Sequence, residues 1–469
     1  MRAAGDNRGV KASSGFIHKV LRIFTVIHPD EVLTTLLLTL NVFLLLTAYY
    51  IIKPVRDALM LDSWPAEVKS YLNAAIAVLL VFVVKIFSRM ASRFPRQKLI
   101  TWVTLFFISN LVLFYILHIF GLGPGTMGIV FFLWAGIFNL IVIAQFWGFA
   151  NDVFTEDEGK RLFPLVAFGA TFGGFAGGTI TESLVASTGT FPLMLISAAF
   201  LGICILFTWI IHRREIQRIK AKPRKSIEKE EFKPEEQEKP LDKGGAFKLL
   251  FKNRYLLYIA FFVLLMNFIN TNGVFMLDTM AENAASQALD AGTTGGLSKG
   301  QYLTQFYAGF YNIMNIYAML VQLFLVSRIF KWFGVRTALF ILPVMALGGY
   351  IFIGLSASLI LVKWVKAVEN GTDYSLMNTT RHSLFLITTR EEKYKAQALT
   401  KTFFHRSGDV LSAGLVFLGS AFLAFKVENF AALNVGLVLI WIFVGILIYR
   451  EHKRLSEARK LDQMTRESL

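Results

Sequence analysis

Long apolar runs separated by short polar stretches dominate the chain. A helix needs about 20 predominantly apolar residues to cross the roughly 30 Å hydrocarbon core of a bilayer. Six such runs precede a hydrophilic stretch and six follow it. The pattern therefore predicts an all-α integral membrane protein of about twelve spans in two six-helix halves. The predicted spans are 32–54, 70–90, 98–121, 126–150, 161–186, 190–212, 250–277, 301–327, 335–356, 357–379, 396–425 and 428–450.

The loops between these runs alternate in charge. One set carries most of the Lys and Arg, and the other set has little positive charge. Because positive loops stay in the cytoplasm, both termini are predicted to be cytoplasmic, in the cell (inner) membrane. The basic set is 1–30, 85–98, 151–161, 213–254, 328–336, 381–406 and 450–466, and the other is 121–127, 185–190, 278–300 and 356–358.

Corresponding loops suggest an internal repeat. A short, basic, aromatic loop follows the second span of each half, as the major facilitator architecture requires, and that architecture places the substrate at the midplane between halves. The predicted divisions are a cytoplasmic segment (1–31), a first half (32–212), a charged linker (213–249), a second half (250–450) and a cytoplasmic tail (451–469).

The composition agrees with a membrane protein. Of the 469 residues 55% are hydrophobic and 17% charged, whereas soluble proteins carry about 25% charged residues. The net charge of +16 lies in loops and termini, and no nucleic-acid-reading module accompanies it, so no nucleic-acid partner is predicted. The single cysteine, Cys204, excludes an intramolecular disulfide. Scattered histidines and the lack of a nucleophile motif predict no catalysis, metal or cofactor. We expect a monomer whose partners are the lipid bilayer and a small anionic solute.

Charged groups close the first span. Lys53, Arg56 and Asp57 lie in an apolar setting beside Pro54, which bends or breaks a helix. Ionisable residues inside a span mark a pathway or a structural pair. Two readings remain: contacts for an anionic solute, or residues at the membrane surface.

Amides and hydroxyls gather in three other spans. Asn139 and Gln145 in the fourth span can contact a solute or link helices. The seventh span carries NFINTNG, which is too polar for lipid and predicts a cavity lining. The residues from the seventh and eighth spans are Asn267, Asn270, Tyr307, Tyr311, Asn312 and Asn315.

The tenth span has the most charge. Lys363, Lys366, Glu369 and Asp373 recur at three- and four-residue spacing, so they share one helical face. That face must meet a wet cavity or another charged helix. A structural Lys366–Glu369 pair is the alternative. The glycine-rich run 169–178 lacks the lysine of a phosphate loop, and is interpreted as helix packing.

Three stretches, 49–61, 146–170 and 373–409, carry a family resemblance. The chain resembles the ATP:ADP antiporters of plastids and intracellular bacteria, as a divergent member. Two acidic positions of that family, in the fourth and seventh spans, correspond here to Ala135 and Gly273. Matching residues of the resembling motifs, which the resemblance implies are gating or cytoplasmic groups, are Asp57, Asn151, Lys160, Arg161, Lys395 and Arg406.

The resemblance implies transport of nucleotides or similar phosphorylated anions, most simply ATP/ADP exchange by alternating access. We expect cations to attract the phosphates, amides to bind polar groups, and Tyr307 or Tyr311 to stack on a base. The alternatives are another organic anion on the same fold, or a non-transporting receptor or assembly platform. The expected cations are Lys53, Arg56, Lys363, Lys366 and Arg381, and the expected polar groups include Asn139, Asn267, Asn270, Asn312, Asn315, Glu369 and Asp373.

Overall fold

The computed structural model describes residues 27–28, 31–121, 123–221 and 246–467. The predicted segment 1–31 and the middle of the predicted linker 213–249 therefore lie almost wholly outside the described residues. The first half consists of α1 (Val32–Ser63), α2 (Ala66–Arg93), α3 (Arg96–Ile119), α4 (Pro124–Val153), α5 (Glu156–Thr188) and α6 (Pro192–Ala221).

The second half is less regular. Its helices are α7 (Ala246–Lys252), α8 (Arg254–Asp290), α9 (Lys299–Leu320), α10 (Val326–Leu355), α11 (Leu359–Thr372), α12 (Asn378–Leu384), α13 (Arg390–Leu399), α14 (His405–Ala421) and α15 (Val427–Glu467). Three π-helical turns continue α9, α11 and α13 into the following helices, at Val321–Leu325, Asp373–Met377 and Thr400–Phe404. A π-turn leaves helical hydrogen bonds out of register and often marks a functional region.

The described helices account for the expected number of spans. Nine helical stretches are long and apolar enough to cross a bilayer. One of these, 299–355, contains two spans because the chain turns at Gly334, whose φ of 73° is outside the helical region. The two charged segments 359–384 and 390–421 supply the remaining crossings. The protein is thus an all-α membrane protein of two six-helix halves.

Several helices run further than predicted, among them α1, α8 (which ends at Asp290 instead of 277) and α15. α1 continues through Pro54 to Ser63, because the buried proline is packed into the bundle rather than ending the helix. The predicted tail after residue 450 continues α15 as helix as far as Glu467. The first difference matters most, since it places Lys53, Arg56 and Asp57 inside a helix that extends beyond them.

Each half has its own apolar core. One cluster joins α1, α3, α4 and α6 around Phe107, Phe131 and Phe138. The other occupies the second half, and it also takes in Ala58 and Ala66 from the first. We call the end of the bundle where α1 meets α2 the distal end, and the opposite end, where α1 begins and α15 finishes, the terminal end. The shared core shows that the halves pack together at the distal end.

Candidate functional site: the interface between the halves

Lys53 on α1 lies where the two halves meet. Its ammonium stands over the rings of Tyr311, Tyr50 and Tyr49, at 4.0, 5.2 and 6.0 Å from their centroids. Aromatic faces attract a cation but do not neutralise its charge. No hydrogen bond or ion pair joins Lys53 to any residue in the described part of the chain. The Lys53 side chain is half-buried, and no carboxylate of the described residues compensates its charge by direct contact.

Arg56 and Asp57 have a different role, because they pair with each other. The Arg56 guanidinium donates to Asp57 Oδ1 through Nε and Nη2 at 3.1 and 2.7 Å. Asp57 is fully buried, and Asp57 Oδ2 accepts from the Tyr311 hydroxyl of the other half at 2.6 Å. Arg56 has 15% of its side chain exposed and Asp57 has none, so neither is an exposed surface residue. They form part of a buried network that spans both halves.

Lys69 on α2 extends this network. Its ammonium lies 3.2 Å from Asp57 Oδ1 and 2.7 Å from Asp278 Oδ1 on α8. Tyr307 on α9 also donates to Asp278. Both carboxylates and Lys69 are almost completely buried, with 0–3% of each side chain exposed. We call Asp57, Lys69, Asp278, Tyr307 and Tyr311 the distal latch.

Further bonds join the halves at the same end. The Ala66 N–H donates to Glu282 Oε2 at 2.9 Å, and the Gln301 amide donates to the Val185 carbonyl at 3.2 Å. The hydroxyls of Thr190 and Thr304 lie 3.3 Å apart. These contacts seal the distal end of the interface.

A cavity of about 630 Å³ lies between the halves on the terminal side of the latch. Tyr50 belongs both to this cavity and to the ring cluster around Lys53. The lining is neutral, with amides, hydroxyls and two tyrosines between apolar walls. Its polar members are Tyr50, Thr171, Asn315, Gln322, Ser327, Tyr374, Ser375, Asn378 and Thr379. The structure is thus closed at the distal end and has a polar cavity on the terminal side.

Lys366 lies inside the second half and is fully buried. It donates to Glu369 Oε2 at 2.8 Å and to Asn270 Oδ1 at 2.7 Å. Tyr350 donates to the same Glu369 oxygen at 2.8 Å. Gly273 is packed against this group, since a Cβ there would lie 2.7 Å from the Lys366 nitrogen. Lys366 and Glu369 therefore form a buried ion pair, and Asn270 accepts a further hydrogen bond from Lys366. This is the geometry of the structural Lys366–Glu369 pair that the sequence analysis gave as the alternative.

Asn267 and Arg406 are also paired within the second half. Asn267 donates to the His405 carbonyl and to Asp409 at 2.7 and 2.8 Å, so it ties α8 to α14. Arg406 reaches the other oxygen of Asp409 at 3.2 Å.

Asp373 and Arg381 form an ion pair at 3.2 Å beside the cavity-lining Tyr374. Both are mostly buried, with 14% and 18% of their side chains exposed. Arg381 thus brings a charge that a neighbour already compensates.

Lys363 lies nearer the distal end, with its nitrogen 4.9 Å from the Phe306 ring centroid. Asn312 donates to Glu182 of the first half at 2.9 Å, and Lys363 interacts electrostatically with the same carboxylate. Asn139 is half-buried on α4, away from the residues that line the cavity. These groups are not brought together with Lys53 into one cluster.

Of the residues for which the resemblance implies a gating or cytoplasmic role, all but Asp57 lie towards the terminal end. Arg161 on α5 binds Glu31 with two bonds, of 2.8 and 3.2 Å. Burial raises the pKa of Glu31, but the bonds from Arg161 and the His28 N–H outweigh it and hold the pKa below its usual value. Asn151 is exposed on α4, Lys160 falls in the first turns of α5, and Lys395 is half-buried on α13.

The glycine-rich run of α5 serves close packing, as interpreted from the sequence. A Cβ at Gly169 or Gly173 would collide with the carbonyls of Thr39 or Phe43 on α1. Gly174, on another face of α5, adjoins Asn315 of the second half. The glycine-rich run lets α5 pack closely against both α1 and α9, and this packing positions the part of α5 that lines the cavity.

Sequence reasoning missed Lys69, Asp278 and Tyr50. Lys69 follows a loop, and Asp278 stood among the charges of a predicted loop. The available signal was that polar residues occur close to the ends of apolar runs, at 278 and 282 on α8 and at 67, 69 and 70 on α2. Without the packing of the halves, those two sets have no visible relationship.

Two helical halves around a polar cavity, closed at one end by a buried latch, define a membrane transport protein rather than an enzyme. A sequence model of the Major Facilitator Superfamily matches residues 38–379, most of the chain, and the chain belongs to that superfamily.

Curated relatives agree with this class. Residues of the chain are 23% identical over 318 positions to ADP,ATP carrier protein 1 of Chlamydia muridarum, covering 59% of this chain and 56% of that protein. They are 25% identical over 186 positions to ADP,ATP carrier protein 5 of Rickettsia felis, covering 32% and 36%. The chain thus matches less than two thirds of the length of these relatives.

Solved structures share the fold. The nucleoside transporter NupG superposes with a TM-score of 0.61 at 13% identity, covering 88% of this chain and 98% of NupG. The POT family transporter PepTSo gives the same TM-score at 12% identity, covering 90% and 98%. These likenesses establish the fold alone.

Proposed function

We propose that the protein exchanges nucleotides or similar phosphorylated anions across the membrane by alternating access. The observation that carries the proposal is Lys53, a cation at the meeting of the halves whose charge no carboxylate in the described part of the chain neutralises by direct contact. A phosphate oxygen is a strong acceptor for an ammonium group. Distant ADP,ATP carriers among the relatives support the same substrate class.

The cavity suits the uncharged part of such a substrate. Tyr50 and Tyr374 supply aromatic surfaces on which a planar base can stack. Asn315, Asn378 and Gln322 offer amide donors and acceptors in the same cavity. A nucleotide would thus place its phosphates towards Lys53 and its base towards the terminal end.

Both termini are proposed to be cytoplasmic, so the cavity would open towards the cytoplasm in this state. The loops rich in Lys and Arg lie at the terminal end, and positively charged loops of membrane proteins tend to stay in the cytoplasm. Reporter fusions at Arg8 and Arg466 test the orientation. An external signal from either fusion would contradict it.

A different organic anion is the second candidate, and the pairing of the other cations favours it. Arg56 and Arg381 are compensated by Asp57 and Asp373, so the site holds fewer available positive charges than the sequence suggests. A substrate that carries less negative charge than ATP would need fewer such cations.

Binding to purified protein tests the proposal. Thermal stabilisation would be measured with ATP, ADP, phosphosugars and dicarboxylates, for the wild type and for Lys53→Gln. We expect stabilisation by a phosphorylated anion, with affinity about tenfold to a hundredfold weaker in Lys53→Gln, since a hydrogen bond to a charged group contributes about 1.5–3 kcal/mol. The control is Lys331→Gln at an exposed position. Equal affinities in wild type and Lys53→Gln would contradict the role of Lys53.

A further inference from the structure

The short helix α7 (Ala246–Lys252) lies at the terminal end, directly before a membrane span. Only Asn253 separates it from α8, which starts at Arg254 and is apolar enough to cross the bilayer. The apolar part of α8 begins at once, with the run YLLYIAFFVLL from residue 255. Because such a run fills the hydrocarbon core, its first residue lies near the boundary between acyl chains and headgroups. α7 is therefore at the level of the headgroups.

The two sides of α7 differ in what they contact. Leu250 is fully buried in the core of the second half. Phe247 and Phe251 are four residues apart, so they share one face, and they are 43% and 63% exposed. Phe247 packs edge to face with Phe403, at 5.2 Å between ring centroids, and Phe403 is also exposed. The outer side of α7 thus carries an aromatic patch, which consists of Phe247, Phe251 and Phe403.

Positive side chains accompany the aromatic patch. Lys248 and Lys252 are exposed and lie four residues apart on α7, and Arg254 is exposed at the start of α8. Residues 246–254 include no acidic residue. In the part of the chain that the structure describes, none of these three cations forms a hydrogen bond or an ion pair.

Carboxylates on neighbouring helices have other partners. Glu392 and Glu451 line a cavity of about 500 Å³ beside the start of α8. Glu392 accepts a hydrogen bond from the Asn253 side chain at 2.7 Å, and Glu451 forms an ion pair with Arg454 at 2.8 Å. Neither carboxylate directly contacts a cation of α7 or the first residue of α8. The outer surface of α7 therefore remains positive.

We propose that α7 is an interfacial helix that binds the headgroups of anionic phospholipids through Lys248, Lys252 and Arg254. Helices that lie in the bilayer interface combine an aromatic or aliphatic face with a row of cations. The rings enter the boundary of the acyl chains, whereas the long basic side chains extend to the phosphates. A position within the hydrocarbon would desolvate three charges, and a position in water would leave the aromatic patch uncovered. This lipid site is separate from the cavity between the halves and does not depend on the transported solute.

A fluorophore on α7 tests the proposal. Cys204→Ala removes the single cysteine, and Phe251→Cys then supplies an exposed position for a bimane label. The purified protein would be reconstituted in phosphatidylcholine that contains increasing fractions of either brominated phosphatidylcholine or brominated phosphatidylglycerol. Bromine on the acyl chains quenches fluorescence at short range, so quenching reports lipid next to residue 251. Comparison of the two titrations gives the preference of this position for the anionic lipid.

We expect both lipids to quench the label, and phosphatidylglycerol to do so at a lower fraction. A lysine near an anionic surface contributes about fivefold in affinity, so Lys248→Gln and Lys252→Gln should each lower the preference about fivefold. Lys331→Gln, at an exposed position outside α7, is the charge-matched control and should leave the preference unchanged. A label at Leu439→Cys, which is 54% exposed in the middle of α15, should be quenched equally by both lipids.

Three results would overturn the proposal. Absence of quenching at residue 251 would show that α7 lies in water or beneath another part of the protein. Equal quenching by the two lipids would exclude a preference for anionic headgroups, and a preference that persists in both lysine variants would exclude the lysines as its cause. Size-exclusion chromatography and quenching at Leu439→Cys establish that the variants are folded and reconstituted. Phe247→Cys, on the same face, replaces Phe251→Cys if that variant aggregates.

Discussion

Removal of the Lys366 ammonium should destabilise the protein, and removal of its partner as well should largely restore it. Lys366 is fully buried and Glu369 is 5% exposed. In Lys366→Met, Glu369 loses its cation and keeps only the Tyr350 hydroxyl at 2.8 Å. An uncompensated buried charge of this kind costs about 3–5 kcal/mol, whereas apolar replacement of both partners is often neutral.

Unfolding in detergent measures this difference. We expect Lys366→Met to lose about 3–5 kcal/mol of unfolding free energy, and Lys366→Met/Glu369→Leu to recover most of the loss. The double variant should also keep substrate binding, because the pair lies within one half. A stable Lys366→Met protein that fails to bind substrate would refute the structural interpretation and restore Lys366 to the site.

Two other consequences concern the first half. Because the pKa of Glu31 is held below its usual value, its pair with Arg161 stabilises the fold above about pH 4.3, and this contribution is lost as the pH falls through the folded-state pKa. The free energies of unfolding of wild type and Arg161→Gln should therefore differ at pH 7 and converge towards pH 3. A difference that stays constant over this range would contradict the role of the pair. Gly173→Ala should lower the free energy of unfolding by about 1–3 kcal/mol, because the added Cβ forces α1 and α5 apart. The control is Gly202→Ala, where no atom lies within 4 Å of the added Cβ, and it should change the free energy of unfolding little. Equal unfolding curves for the two variants would show that α5 has space for a side chain at residue 173.

The span pattern and loop charges were sufficient to predict the two-half helical membrane fold, since apolar length is a property of each segment alone. The continuation of α1 through Pro54 was not predictable from those local signals, because packing of the buried proline in the bundle preserves the helix. The continuation of the helix at Pro54 is a local feature of the chain, but tertiary packing determines it.

The candidate site was predictable only in part. Helical spacing identified Lys363, Lys366 and Glu369 as one face, but it cannot distinguish a pathway from an internal pair. The Lys69–Asp278 contact joins residues 209 positions apart, so no local pattern indicates it. Lys53 was identified as a cation. Tyr49 and Tyr50 precede it by four and three residues on α1, whereas its contact with Tyr311 depends on the packing of α1 against α9.

Exchange in proteoliposomes tests the central claim most directly. Vesicles with purified protein would be loaded with ATP, and uptake of labelled ADP would be compared with unloaded vesicles and with Lys53→Gln. We predict uptake that depends on an internal phosphorylated anion and falls about tenfold to a hundredfold in Lys53→Gln under subsaturating substrate, in line with the loss of one charged hydrogen bond. Folded protein that exchanges no nucleotide or phosphosugar, or that exchanges them equally well without the Lys53 ammonium, would contradict it.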